Sequence, residues 1–330
     1  MLVKVKKKRI DKKSILIFGI TGQDGSLLAK HYIDKNFIVY GVVTSKKFSP
    51  RNLNKLNITR KVKLFNKINV NEKSIKNLII KSKCSIIYFL SGVSSVKKSE
   101  KLKYEAITSN NLILIEVLQI LISNNLKRVK VFNASSGEIF GDNKGSNNEN
   151  SKINPLSYYA LAKSISLEIS RAYREQFKLK IYNGILFNHE SLLRPKTYVV
   201  RKIISGVNDI FKKKTNELKM GNTEVYRDWG WAPEYIKIIY KIMKSTKPSD
   251  YIIATGKITK LDDIITKVFN HYKLPKKHFL KKSNNFNRKL EPMQIKADIT
   301  KLKKNINYAP KISIDAIVSS MITEEKKWKY

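Results

Sequence analysis

The sequence predicts an α/β protein: a doubly wound parallel sheet covered on both faces by helices, followed by a smaller mixed α/β C-terminal domain. Three observations point there. Strand-length apolar runs alternate with helix-length amphipathic segments from Ser14 to about Asn188. Those runs are nearly continuous in apolar residues, as strands buried on both faces are. After residue 190 the rhythm loosens into loops, short helices and short strands, with prolines at 248, 275, 292 and 310.

Taken in order, S-I-L-I-F-G (14–19) reads as the first strand and G-S-L-L-A-K-H-Y-I-D-K (25–35) as the first helix. F-I-V-Y-G-V-V (37–43) and K-V-K-L-F (61–65) are the next two strands. A helix over 72–82, a strand over 85–91 and a longer amphipathic segment over about 101–125 follow. R-V-K-V-F-N-A-S (128–135), a helix from Ser157 to about Gln176 and K-I-Y-N-G-I-L-F-N (180–188) complete the series. Beyond it a helix is expected around Val199–Lys213. The implied organisation is a basic N-terminal extension (1–13), a dinucleotide-binding domain (14–190) and a mainly substrate-binding domain (191–330). Segments between about 225 and 260 are expected to return to the first domain.

The 330 residues are 42% apolar and 10% aromatic, a globular composition with ample surface to bury. No apolar run is read as long enough to span a bilayer, and no signal-peptide pattern follows the N-terminus. Cys84 is the single cysteine, so no intrachain disulfide forms and a cytoplasmic setting is expected. The net charge is +40. Because the lysines are scattered and no basic motif is interleaved with aromatics, a nucleic-acid partner is not expected. A positive field does suit an anionic small substrate such as a nucleotide sugar.

G-I-T-G-Q-D-G places Gly19, Gly22 and Gly25 between the first strand and the first helix. Glycines there let the backbone turn tightly and approach a pyrophosphate at the positive helix N-terminus, the Rossmann arrangement. The second strand ends in V-V-T-S-K-K-F-S-P-R, without the acid that usually holds an NAD ribose. Lys46, Lys47 and Arg51 could instead neutralise a 2′-phosphate, which favours NADP over NAD.

S-Y-Y-A-L-A-K carries Tyr159 and Lys163, four residues apart and so on one face of a helix, about 6 Å apart in rise. An ammonium beside a phenol favours the phenolate. Lowering the phenol from about 10 toward 7 takes roughly 4 kcal/mol, within reach of Lys163 together with a bound cationic nicotinamide.

A glycine cradle, a strand-end hydroxyl at Ser136 and Tyr-x-x-x-Lys beginning 23 residues later resemble the extended short-chain dehydrogenase/reductase superfamily. That resemblance implies Tyr159 as acid/base, Lys163 as its tuner and a ribose ligand, and Ser136 as partner of the substrate oxygen. Within the superfamily, four stretches resemble the GDP-mannose 4,6-dehydratase family: G-I-T-G-Q-D-G-S (19–26), A-S-S-G-E-I-F-G (134–141), N-G-I-L-F-N-H-E-S (183–191) and R-D-W-G (227–230). D-Y-I-I-A-T-G (250–256) adds to them.

The family resemblance implies a lyase chemistry. Hydride leaves C4 of the hexose for NADP, the C5 proton is removed as the C6 hydroxyl departs, and hydride returns at C6. It implies Glu138 as general base and as the acid for the leaving hydroxyl. On an extended segment, residues i and i+2 share a face roughly 6.5–7 Å apart, so Ser136 would address O4 and Glu138 C5 and C6. Cofactor contacts carry over to Thr21, Gln23 and Asp24 in the cradle, to Asn69, to Ser91, and to His189 and Arg194. Arg194 lies in a loop expected to reach a neighbouring subunit of a homodimer or homotetramer. Asn188, Lys202 and Arg227 match positions near the sugar nucleotide, and no metal is implied.

Ser136 stands where the family has threonine and S-L-L-R-P (191–195) lacks its paired arginines; three further departures matter more. F-L-S-G-V-S-S (89–95) replaces Ala-Ala-Gln-Ser-His, and Asn69 stands where an aspartate approaches the adenine. L-E-P-M-Q-I (290–295) has Glu291 and Gln294 where the family has an Arg and a Glu, with Arg288 three residues before Glu291. A 4-epimerase or 4-keto reductase would retain Tyr159 and Lys163 without needing Glu138, and a non-catalytic nucleotide- or nucleic-acid-binding relative is the other alternative.

Overall fold

A computed structural model of the chain describes residues 13–43, 49–66, 72–288 and 290–323. The first half runs β1 (Ser14–Phe18), α1 (Gln23–Ile33), β2 (Ile38–Val43), α2 (Arg51–Lys55), β3 (Val62–Asn66), α3 (Glu72–Ser82), β4 (Ile86–Phe89), α4 (Val96–Lys101), α5 (Lys103–Ser123), β5 (Lys130–Ser136), α6 (Tyr158–Phe177) and β6 (Lys180–Leu186). Beyond it come β7 (Asn188–Glu190), α7 (Val199–Phe211), β8 (Tyr226–Trp231), α8 (Ala232–Ser245), β9 (Asp250–Ile253), β10 (Ile258–Lys260), α9 (Leu261–His271) and β11 (Gln294–Ala297).

Seven strands form one parallel sheet in the order β9-β6-β5-β4-β1-β2-β3. Every residue of β1 is buried, because the two faces of the strand feed two separate cores. Ile15 and Ile17 pack into one with α1 and α8 residues, Leu16 and Phe18 into the other with α3 and α5 residues. Strand side chains alternate between faces, so a run apolar at every position must be covered twice. After β1 the chain winds outward through β2 and β3, then returns to start β4 on the other side of β1. The reversal opens a crevice beyond the carboxyl ends of β1 and β4, where ligands of such sheets bind.

A third core lies in the C-terminal part. On α7, Val200, Ile203, Ile204 and Val207 recur at helical spacing and pack with Trp229 and Trp231 of β8 and Ile265 and Val268 of α9. Around β8 a smaller mixed sheet forms: β10 pairs with it antiparallel, while β7 and β11 pair with it parallel. By contrast, β9 hydrogen-bonds to β6 at the edge of the large sheet, and Arg171, Arg174 and Asn183 all donate to Asp250 there.

Three local readings change. The first helix begins at Gln23 rather than 25, with Gly22 as its N-cap. Short helices α2 and α4 fill segments too short to show periodicity; Ser95 caps α4 by accepting from the Lys98 N–H at 3.3 Å. Finally, the 21-residue α5 is long and apolar enough to cross a membrane, contrary to the reading that no run is. Half of its apolar window is buried, with Leu114, Val117, Leu118 and Leu121 inside the core, so its apolarity is that of a central helix.

Candidate active site

The glycine turn sits where the sheet order reverses. Gly19 adopts φ +83, and a Cβ there would lie 2.8 Å from the Leu90 carbonyl carbon. A Cβ on Gly25 would come within 2.3 Å of the Gly19 carbonyl oxygen. Side chains are thus excluded from the cradle by backbone, and the first turn of α1 faces open space that suits a pyrophosphate. Ser91 beyond β4 is buried, and its hydroxyl has no hydrogen-bond partner among the described residues. A cradle closed to side chains and a spare buried hydroxyl fit a dinucleotide. Gly19, Thr21, Gly22, Gln23, Asp24, Gly25 and Ser91 all line one cleft of ≈ 1290 Å³.

The same cleft is lined by Ser136, Glu138, Tyr159 and Lys163. Ser157 caps α6 by accepting from the Ala160 N–H, and the Tyr159 N–H donates to Ser99 Oγ at 3.0 Å, which fixes where the helix starts. Burial pushes the Tyr159 phenol up to about 12; a hydrogen bond with Ser136 acts the other way, while Tyr198 and Glu138 push it further up. Burial lowers the Lys163 ammonium to about 8, with Asp24 opposing. Its Nζ donates to the Ala134 carbonyl at 2.9 Å. The expected lowering of Tyr159 is therefore not what this structure shows: the amine is tied to β5, and burial dominates the phenol.

Glu138 departs from its expected geometry too. It is not on an extended segment but in a 3₁₀ turn, Gly137–Phe140, capped by Ser136, whose Oγ accepts the Glu138 N–H at 3.3 Å. The i, i+2 strand argument does not apply, yet the turn still directs the carboxylate into the cleft. There it meets two cations. Arg288 Nη1 lies 3.2 Å from Glu138 Oε2, and Arg227 Nε 4.0 Å from Oε1. Glu291 approaches the same guanidiniums, at 3.5 Å from Arg288 Nε and 3.8 Å from Arg227 Nη2. Arg227 is buried, donates to the Tyr226 carbonyl, and keeps Nη2 without a hydrogen-bond partner among the described residues.

Residues of the 188–202 segment line it too. His189 stacks on Tyr235, with centroids 4.6 Å apart, and its Nε2 meets the Asp24 carboxylate at 2.9 Å while Nδ1 meets the Phe187 carbonyl. Both ring nitrogens are thus engaged within the protein. Burial works against the His189 cation, but Asp24 more than offsets it and the pKa is raised; burial likewise opposes the Asp24 anion, and His189 holds it below the ordinary value. Gln23 joins this clamp, donating to the His189 carbonyl and accepting from Ser191 Oγ. Arg194 meets Glu190 Oε1 at 2.5 Å and lies over the Tyr198 ring. Asn188 lines the cleft, as does Lys202, whose Nζ sits 3.3 Å from the centroid of Phe286; burial and Lys97 lower it to about 8.

Lys46, Lys47 and Asn69 lie outside the described residues. Arg51 is exposed at the start of α2, while its neighbours Ser49 and Asn52 line the cleft, Asn52 donating to the Thr21 carbonyl at 3.1 Å. Sequence reasoning missed Asn52, Ser99, Tyr198 and Phe286. Each acts from a short helix or a loop where no pattern marks it.

A family model described as GDP-mannose 4,6 dehydratase matches residues 16–321. GDP-mannose 4,6 dehydratase 1 of Arabidopsis thaliana is 28% identical over 324 residues, covering 95% of this chain and 90% of its own. The Homo sapiens GDP-mannose 4,6 dehydratase is 29% identical, with 93% and 90% covered. That of Dictyostelium discoideum is 32% identical, with 78% and 76% covered. Among solved structures, a dTDP-glucose 4,6-dehydratase from Streptomyces venezuelae with NAD bound superposes with a TM-score of 0.83 at 16% identity, covering 94% of this chain and 95% of that one. A UDP-glucose 4-epimerase from Thermotoga maritima with UDP-glucose gives 0.82 at 19% identity, covering 94% and 97%. The structural likeness establishes the Rossmann-type fold shared by dehydratases and epimerases.

Proposed function

The chain belongs to the GDP-mannose 4,6-dehydratase family, matched over residues 16–321, and on that premise we propose that it is an NADP-dependent hydro-lyase converting GDP-mannose to GDP-4-keto-6-deoxymannose. The observation that carries the reading is the meeting of Ser136, Glu138, Tyr159 and Lys163 in the cleft that the glycine turn also lines. At ≈ 1290 Å³ the cleft exceeds the roughly 300–1,000 Å³ of a single-ligand pocket and suits two large ligands side by side.

When bound, the nicotinamide supplies a hydride acceptor for C4 and a hydride donor for C6. The chain's residues do the rest. Ser136 and Tyr159 bracket the O4 position; Tyr159 first releases its own proton to solvent, and the phenolate then takes the O4 proton as the ketone forms and returns to the neutral phenol. Lys163, held by the Ala134 carbonyl, presents a cation beneath the same site. The C4 ketone acidifies C5, and Glu138 accepts the C5 proton. The C5–H and C6–O bonds break, a C5–C6 double bond forms, and the hydroxyl leaves as water with the proton carried by the carboxylate; as C6 is reduced, C5 takes a solvent-derived proton. Arg288 and Lys202 line the cleft and offer cations to the diphosphate, while Arg227 is buried and lines a smaller cavity with Glu138 and Asn188.

A 2′-phosphate preference rests on the absence of an acid after β2. Comparing turnover with NADP and NAD tests it. The family resemblance supports a homodimer or homotetramer, which light scattering would show, and the cytoplasm is the proposed location. The decisive assay is purified protein with GDP-mannose and NADP in D₂O. The expected result is a 4-keto-6-deoxy product, deuterium at C5 and no net cofactor reduction. A product with its C6 hydroxyl intact would reject the proposal in favour of an epimerase, and a panel of GDP-, CDP-, UDP- and dTDP-hexoses would identify the base.

A further inference from the structure

Glu138 shares two guanidiniums with a second carboxylate, Glu291. A guanidinium within a few ångströms stabilises a carboxylate anion and so reduces its affinity for a proton. Two guanidiniums, from Arg227 on β8 and Arg288 in the loop before β11, converge on Glu138 at 4.0 and 3.2 Å. Glu291 completes a closed ring with them, at 3.8 and 3.5 Å from the same two side chains. Two cations and two anions leave the ring neutral. Among the described residues, Tyr159 on α6 also interacts electrostatically with Glu138, and Asp228 of β8 lines a small cavity with Glu138 and Arg227, its own carboxylate bonded to Thr255 and Gly256.

We infer that Glu291 is a positioning residue for the elimination: it draws part of the charge of Arg227 and Arg288 away from Glu138, and so keeps Glu138 competent to take the C5 proton. This rests on the reading of Glu138 as the base. Glu291 does not reach the reacting carbons in this account; it acts through the two arginines. Its side chain is 16% exposed and Arg288's is 34% exposed, so the ring is partly wet and its charges remain adjustable by single substitutions. The sequence stands apart from the family pattern here, with Glu291 in place of an arginine, and the ring gives the acid a use.

The test reads the pH dependence of C5 proton exchange, measured as deuterium incorporation, in charge-altered variants. Glu291→Gln leaves Glu138 between two uncompensated guanidiniums. Its acid limb is expected to move down by about one pH unit, with kcat for exchange reduced ~10-fold at neutral pH. Arg288→Gln removes one cation and is expected to move the limb in the opposite direction, with a raised KM. The double variant Glu291→Gln/Arg288→Gln restores neutrality and is expected to recover kcat for exchange at saturating substrate to within ~3-fold of wild type, while keeping the raised KM of Arg288→Gln. A merely structural role for Glu291 would move neither limb, and single variants shifting the same way, or a double variant worse than both, would overturn the inference. Glu138→Gln separates the two levels. If it exchanges C5 normally, the base assignment itself fails; if it blocks exchange while Glu291→Gln keeps the wild-type profile, only the inference about Glu291 fails.

Discussion

At the scale of single residues, the proposed reaction falls to groups that differ in how firmly the fold holds them. Lys163 and Ser136 are buried on α6 and β5, whereas Glu138 sits in a 3₁₀ turn between two guanidiniums. Oxidation at C4 and elimination at C5 should therefore separate by mutation. Glu138→Gln is expected to form the 4-ketone but lose water ~10²–10⁴-fold more slowly, seen as bound reduced nicotinamide without a 6-deoxy product. Tyr159→Phe is expected to remove oxidation itself by a similar factor. The Ser136, Tyr159 and Lys163 set was legible because a strand end and a helical i, i+4 spacing fix it locally. The partner of Glu138 was not, since Arg288 lies 150 residues away and no local pattern encodes that approach. Nor was the turn, although a glycine follows at each end, Gly137 and Gly141, and Ser136 is a residue type that caps such turns.

At the scale of elements, the start of α1 is held by two devices. The glycine turn sets its distance from β1, and the Asp24–His189 pair ties it to β7. Gly25→Ala would place a Cβ 2.3 Å from a backbone oxygen, so the helix must shift. The expected outcome is a loss of about 1–3 kcal/mol in denaturant unfolding, together with weakened dinucleotide binding by titration. The ion pair has a pH signature. Because the pKa of His189 is raised, its contribution is present below the ordinary value of 6.5 and is lost as pH rises through the raised value. Because that of Asp24 is lowered, its contribution is present above 3.8 and is lost as pH falls through the depressed value. The clamp is thus strongest between those ordinary values. Asp24→Asn should cost about 2 kcal/mol near pH 5 and clearly less near pH 9; an equal loss at both would show that Asp24 acts without His189. The long elements were readable because each repeats its pattern over several turns or pleats. Helices α2 and α4, of five and six residues, are too short to repeat one, and Asn52 and Ser99 went unnoticed with them.

On the scale of the whole molecule, the sheet class followed from burial on both faces. The arrangement around β8 did not, because three strands far apart in sequence pair with it in mixed directions. Charge is the other global property, and its effect reaches the cleft. Sixty-six basic residues against 26 acidic give the net +40, and Lys97, Lys101, Lys103, Lys202, Arg194 and Arg288 line the cleft against Asp24, Glu100, Glu138, Glu190 and Glu291. Of those acids, Asp24, Glu138, Glu190 and Glu291 are engaged with cations in the fold. The field at the mouth is therefore dominated by lysine, and a nucleotide diphosphate arrives along it. Charges farther apart than a Debye length, about 10 Å at 0.1 M salt, contribute only at low ionic strength. Raising salt from about 50 to 500 mM should thus lower kcat/KM ~3–10-fold, mostly through KM, while kcat changes little. A neutral salt series at constant pH measures it. Insensitivity of KM would mean that the surface charge is electrostatically decoupled from the cleft, leaving substrate capture to the arginines and lysines that line it.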